Sequence, residues 1–140
     1  GITLNPTLVP NLIDELPLLF IAASLAEGQT IIRGAEELRE KESDRLEAMS
    51  NSLKLLGVKF KIYDDGIDIQ GLNQEVNTSN SGMPFEASRI NSFGDHRIAM
   101  TSAIACTRAN GKSYIEDTKN VTTSFPNFLE ICEEVGLDIK

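Results

Sequence analysis

Apolar residues recur along the chain in two rhythms, one helical and one alternating, and glycines mark the changes between them. The run Leu16 to Ala26 is apolar and rich in small residues, and Gly28 closes it. It predicts a helix capped by Asp14, with Pro17 in the first turn, where a missing N–H does no harm. Thr30 to Gly34 then reads as a short strand. Leu46, Met49, Leu53 and Leu56 recur at helical spacing from about Ser43 to Gly57, predicting a second helix with Met49 on its core face. Val58 to Tyr63 alternates like a half-buried strand, Asp64-Asp65-Gly66 makes a turn, and Ile67 to Ile69 returns as its partner. Residues 72–84, rich in Asn, Ser and Gly, read as a loop.

After that loop the rhythm begins again. Phe85 to Ile90 reads as a strand, Asp95 caps a helix through Ala109, Gly111 ends it, and Lys112 to Glu116 is a strand. Ser124 then caps a helix with Pro126 in its first turn and Gly136 at its end, and Leu137 to Ile139 begins a last strand. The segment Phe20 to Gly28 matches Ala103 to Gly111 in pattern, each followed by a strand, a polar loop and a helix. The chain therefore reads as an internal repeat, with units at about 1–71 and 84–140 joined by the loop 72–83. Alternating helices and strands predict an α/β fold with helices covering a sheet.

Composition narrows the function. The chain has 140 residues with a formal net charge of −8 and no long acidic run. That balance excludes a general nucleic-acid binder, which needs a basic surface against phosphates. No apolar run reaches the roughly 18–20 residues that span a bilayer, and none has signal-peptide flanks, so no membrane association and a cytoplasmic location are expected. Cys106 and Cys132 fall in apolar helical patterns without metal-ligand spacing and are expected as buried free thiols. No ligand cluster implies a metal or organic cofactor.

The chemistry gathers at the helix starts. Lys41, Glu42, Asp44 and Arg45 straddle the second, and Asp95, His96 and Arg97 open the third; Thr122, Thr123 and Ser124 precede the fourth. A helix N-terminus carries free N–H groups and partial positive charge, so cations there ask for a compensating anion. Each residue also has a plainer reading: Asp14 and Asp95 as simple caps, residues 41–45 as a solvated charge run, His96 as a surface histidine, Met100 as core. From the residues alone the chain is an α/β domain suited to binding an anion.

Taken together, these clusters resemble a known family. Lys41-Glu42-Ser43-Asp44-Arg45-Leu46, preceded by Glu37-Leu38-Arg39, resembles the KESDRL signature of the 5-enolpyruvylshikimate-3-phosphate synthases. Gly94-Asp95-His96-Arg97-Ile98-Ala99-Met100 resembles their DHRIAM signature, and Ser124-Phe125-Pro126 their SFP element. Asp14 stands where the family has its catalytic aspartate. The resemblance covers essentially the whole chain. It implies two domains, each of three βαβαββ units, of which this chain would be about two units of one domain.

The resemblance further implies a transferase of the shikimate pathway of aromatic amino-acid biosynthesis. Such an enzyme transfers the enolpyruvyl group of phosphoenolpyruvate to the 5-hydroxyl of shikimate 3-phosphate and releases phosphate. Asp14 and Glu42 would be catalytic, Glu42 toward the methylene carbon of phosphoenolpyruvate and Asp14 toward the ring hydroxyl, whose proton either Asp14 or Lys41 would take. Lys41 would bind shikimate 3-phosphate, and Arg45 and Arg97 phosphoenolpyruvate, with Asp95 and His96 in support. The chain departs from some branches at Thr123, where they carry lysine, and at Glu37, where they carry asparagine. The remaining, N-terminal part of the enzyme is the expected partner, and the chain is expected to be inactive alone. The competing expectation is a non-catalytic α/β module that binds anions or a partner.

Overall fold

The computed structural model describes residues 1–72 and 82–140. The expected loop 72–83 therefore lies largely outside the described residues. The first half contains the short helix α1 (Val9–Leu12), helix α2 (Leu16–Leu25), strand β1 (Gln29–Ile32), a 3-10 helix at Glu36–Glu40, helix α3 (Arg45–Leu55) and the hairpin β2 (Lys59–Tyr63) and β3 (Gly66–Gln70). The second half contains β4 (Arg89–Asn91), α4 (His96–Cys106), β5 (Tyr114–Glu116), α5 (Lys119–Ser124) and α6 (Phe128–Glu134).

Strand β3 lies between β1 and β2 and is antiparallel to both. The register puts Thr30, Ile69 and Phe60 in one row and Ile32, Ile67 and Ile62 in the next, so period-2 alternation aims one apolar face at the helices. Asp64 and Asp65 form the two-residue hairpin turn expected from the sequence, with Tyr63 paired to Gly66. Helices α2, α3 and α4 pack on one another, α2 and α3 also on the three-stranded sheet, and α4 on β5. Small residues make the close approach of α3 and α4 possible: the Ser52 and Ser102 hydroxyls meet at 3.5 Å, both buried.

The two halves share a crossover. Thr3 bridges Ile31 in parallel with α2 between them, and β4 pairs in parallel with β5 with α4 between them. Segments 20–28 and 103–111, alike in sequence, occupy the C-terminal ends of α2 and α4 and the turns that follow. The first half then adds the β2–β3 hairpin, whereas the second adds α5 and α6.

Several expected boundaries move. Asp14 does not cap α2: a separate short helix precedes it, the cap position falls on Glu15, and no side chain bonds there. Helix α3 starts at Arg45, capped by Asp44, whose carboxylate accepts the Glu47 amide at 2.9 Å. Of the strand expected at 85–90, Phe85 makes only an isolated bridge to Ala109, and the paired segment is Arg89–Asn91. Ser124 ends a helix instead of capping one. Phe125 turns extended before Pro126, as the proline ring disfavours helical backbone at the preceding residue. Pro126 consequently lies in a connection, and α6 begins at Phe128. Leu137–Ile139 has no strand partner among the described residues and stays irregular. Cys106 and Cys132 are free, half-buried and buried respectively, and burial pushes both thiols up despite a hydrogen bond of Cys106 with Ser113.

Among the described residues no single helix is long and apolar enough to cross a membrane. Helix α2 is apolar on all sides, the pattern of a helix enclosed by a larger body. One side is buried through Leu16, Phe20 and Ile21, while Leu18 and Leu19 face outward.

Candidate active site

Three chain segments converge where α2, α3 and α4 begin. Arg45 opens α3, and its side chain is only 1% exposed. A guanidinium withdrawn from water needs its N–H groups satisfied by charge. Its Nε donates to Asp95 Oδ2 at 2.8 Å and Nη2 reaches Asp95 Oδ1 at 3.4 Å. Nη1 donates to Asp14 Oδ1 at 3.0 Å and Nη2 to Glu42 Oε2 at 2.6 Å. Burial disfavours the charged guanidinium, but Asp95, Glu42 and Asp14 outweigh it and hold Arg45 more firmly protonated than usual.

Asp95 is 0% exposed and does two tasks. As the cap of α4 it accepts the Arg97 amide at 2.9 Å and the Ile98 amide at 3.4 Å, as the sequence predicts. As the partner of Arg45 it also accepts the Ser43 hydroxyl at 3.0 Å. Burial alone would raise its carboxyl; Arg45, Ser43 and the Arg97 amide overcome that and hold it below the usual carboxylate range.

Asp14 lies in the link between α1 and α2, with its side chain half exposed. Its Oδ1 is 3.9 Å from Lys41 Nζ and its Oδ2 is 3.9 Å from Arg97 Nη2. Three cations therefore surround one carboxylate. Lys41 donates to Glu37 Oε1 at 2.6 Å, a bond that raises its ammonium pKa against the opposing effect of burial. Arg97 Nη1 donates to the Asp14 carbonyl and to Glu15 Oε1, both at 2.9 Å.

The structure brings together Asp14, Lys41, Glu42, Arg45, Asp95 and Arg97. The His96 side chain is half-buried and makes no hydrogen bond or ion pair among the described residues; with Arg97, Asp14 and Leu18 it lines an open cleft of about 360 Å³ whose lining also includes Ser124, Phe125 and Phe128. Thr123 does not line that cleft. Arg39 is turned away, donating to the carbonyls of Asp64 and Tyr63 and paired with Asp44 at 2.7 Å. Sequence reasoning missed Glu15 as the partner of Arg97 and Ser43 as a support of Asp95. Neither carries a pattern that marks it, because each partner is remote in the chain.

The family model for EPSP synthase (3-phosphoshikimate 1-carboxyvinyltransferase) matches residues 1–132, and the chain belongs to that family. It is 45% identical over its whole length to the 3-phosphoshikimate 1-carboxyvinyltransferase of Coxiella burnetii and 46% identical to that of Methylococcus capsulatus. In both cases the chain spans about 30% of the relative's length. An EPSP synthase structure from Acinetobacter baumannii superposes with a TM-score of 0.91 at 44% identity, over 100% of this chain and 31% of that one. The enolpyruvyl transferase NikO from Streptomyces tendae shares the fold, with a TM-score of 0.51 at 17% identity over 74% of this chain.

Proposed function

We propose that this chain is the C-terminal portion of a cytoplasmic 3-phosphoshikimate 1-carboxyvinyltransferase and contributes the acid/base and phosphoenolpyruvate-binding half of its active site. It comprises two units of the repeated fold, at about 1–71 and 84–140. The reaction joins the 5-hydroxyl oxygen of shikimate 3-phosphate to C2 of phosphoenolpyruvate. The hydroxyl loses a proton as C3 gains one. The proton then leaves C3 as the C2–O bond to phosphate breaks, and inorganic phosphate departs.

The observation that carries the reading is the convergence of Asp14 and Glu42 on one buried guanidinium. Two carboxylates held at neighbouring nitrogens of Arg45 suit a reaction that removes one proton and places another. Asp14, ringed by Lys41, Arg45 and Arg97, takes the hydroxyl proton, and Glu42 exchanges a proton with C3. Lys41 meets the shikimate 3-phosphate. Arg97 grips phosphoenolpyruvate with paired, charge-assisted hydrogen bonds, and its charge stabilises the departing phosphate. Arg45 joins it by exchanging Glu42 for the incoming anion; Glu42 is 55% exposed and free to swing away, while the buried Asp95 keeps the guanidinium in place. His96 and Asp95 support the start of α4.

Electrostatics favours a site completed by the rest of the enzyme. Around Lys41, Arg45 and Arg97 stand five carboxylates, Asp14, Glu15, Glu37, Glu42 and Asp95, so the cluster is net negative. Two phosphorylated substrates need further cations, and the missing N-terminal part is their source. In the complete enzyme, Asp14→Asn and Glu42→Gln should each lower kcat by at least about 100-fold, the scale of a general acid or base. A kcat within twofold of the parent for both variants would remove these residues from the chemistry.

A further inference from the structure

Strand β4 reaches α4 through a turn that is costly to form. The Asp95 amide donates to the Ser92 carbonyl at 3.0 Å, and the two central residues, Phe93 and Gly94, have φ of 53° and 69°. Two positive φ values in succession are the mark of a type I′ turn, which favours Asn-Gly or Gly-Gly. Gly94 adopts this without penalty. Phe93 does not, because a bulky side chain crowds its own backbone at positive φ. The residue is 52% exposed, so burial does not compensate.

Among the described residues the one other non-glycine position with positive φ is Asp117, at 57°. It faces the same turn. A Cβ placed on Gly94 would come within 3.3 Å of Asp117 Oδ2 and 3.5 Å of Asn120 Nδ2. Strain of this kind persists only where the surroundings over-determine it. Here the Asn91 side-chain oxygen accepts the Phe93 amide at 2.7 Å. The buried Ser92 hydroxyl reaches the carbonyls of Glu116 and Asp117 at 2.9 and 2.8 Å. The Asn120 side-chain amide donates to the Gly94 carbonyl at 2.5 Å.

The turn ends on Asp95, which holds Arg45, and two residues later the chain presents Arg97 to Asp14 and Glu15. Asn120 belongs to α5, which runs on to Ser124 and Phe125, two residues that line the same cleft as Arg97. One side chain therefore ties α5 to the strained turn that leads to Arg97. We propose that Asn120 is a positioning residue for enolpyruvyl transfer, locking the Ser92–Asp95 turn so that Arg97 meets phosphoenolpyruvate in register. This rests on the assignment of Arg97 to that substrate.

The test is steady-state kinetics of the complete enzyme carrying Asn120→Ala, Asn120→Asp or Arg97→Ala. Asn120→Asp is isosteric but sets an acceptor against the Gly94 carbonyl. Both Asn120 variants should raise KM for phosphoenolpyruvate about five- to tenfold, Asp at least as much as Ala, the scale of one lost hydrogen bond. KM for shikimate 3-phosphate should stay within twofold. Phe93→Asn, which relieves the turn, should restore most of the loss in the Asn120→Ala background. If Arg97→Ala raises that KM while both Asn120 variants leave it unchanged, the proposal fails and the reading of Arg97 stands, even where the melting temperature falls. A rise shared equally by both substrates overturns it too. If Arg97→Ala itself leaves KM unchanged, the assignment of Arg97 falls and the proposal with it.

Discussion

Removing the Asp95 carboxylate should cost more than any other single change at the site. Asp95→Ala leaves the Arg45 guanidinium buried without its main partner, and breaking a buried ion pair from one side costs about 3–5 kcal/mol. It also strips the cap from α4, for about 1 kcal/mol more. The sum, about 4–6 kcal/mol, rivals the roughly 5–15 kcal/mol that keeps a domain folded. Asp95→Asn keeps an acceptor for the Arg97 amide and loses mainly the charge, so it should cost about 1.5–3 kcal/mol. Urea unfolding of the chain followed by circular dichroism measures both. With a slope of about 2 kcal/mol per molar, the alanine midpoint should fall by about 2–3 M and the asparagine midpoint by roughly half as much. An alanine midpoint within about 0.5 M of the parent would refute the claim that this pair anchors the site.

Acid should act through the same carboxylate. Its pKa is depressed by folding, so the stability it adds is fully present above the unfolded value of about 3.9 and is lost as pH falls through the folded one. The gap between parent and Asp95→Asn urea midpoints should stay constant from pH 7 to about 5 and close only below about pH 4; a gap that closes near neutrality would show that other groups dominate. Arg97→Ala in the complete enzyme removes a charge-assisted pair, and KM for phosphoenolpyruvate should rise by about 10–100-fold, corresponding to about 1.5–3 kcal/mol. Gly94→Ala sets a Cβ against Asp117 at a positive φ and should destabilise the chain by about 1–2 kcal/mol, measured by urea unfolding; an unchanged midpoint would mean that the turn tolerates a side chain. The outward Leu18, Leu19, Leu129 and Val135, with an open groove of about 1250 Å³ between α4, α5 and α6, should make the isolated chain self-associate; a monomer mass independent of concentration in sedimentation would contradict this.

The order of helices and strands was legible because each break carries local chemistry. Gly28, Gly57 and the Asp-Asp-Gly turn stop their elements within the residues that form them, and Asp95 caps α4 with its own side chain. Asp14 misled for the opposite reason. In sequence it looks like a cap, but α1 takes the residues before it, and its carboxylate turns to an arginine 31 positions later. The C-terminal helix divides because Pro126 acts on the backbone of Phe125, a restriction that the pattern of Ser124 and Pro126 also fits as a helix start. The charged signatures marked Lys41, Glu42, Arg45 and Arg97 as a group. That Arg45 would be buried among three carboxylates, and Arg97 held by Glu15, depends on how α2, α3 and α4 meet. No local pattern encodes that meeting.

We propose that this chain holds one half of an enolpyruvyl-transfer site. Phosphate release from shikimate 3-phosphate and phosphoenolpyruvate tests it most directly, measured with the chain alone and then with the missing N-terminal portion added. Release is expected only from the mixture, abolished there by Asp14→Asn. Release by the chain alone would contradict the claim of an incomplete site. An assembled, folded mixture that releases none would contradict the claim of catalysis and leave an anion-binding module in its place.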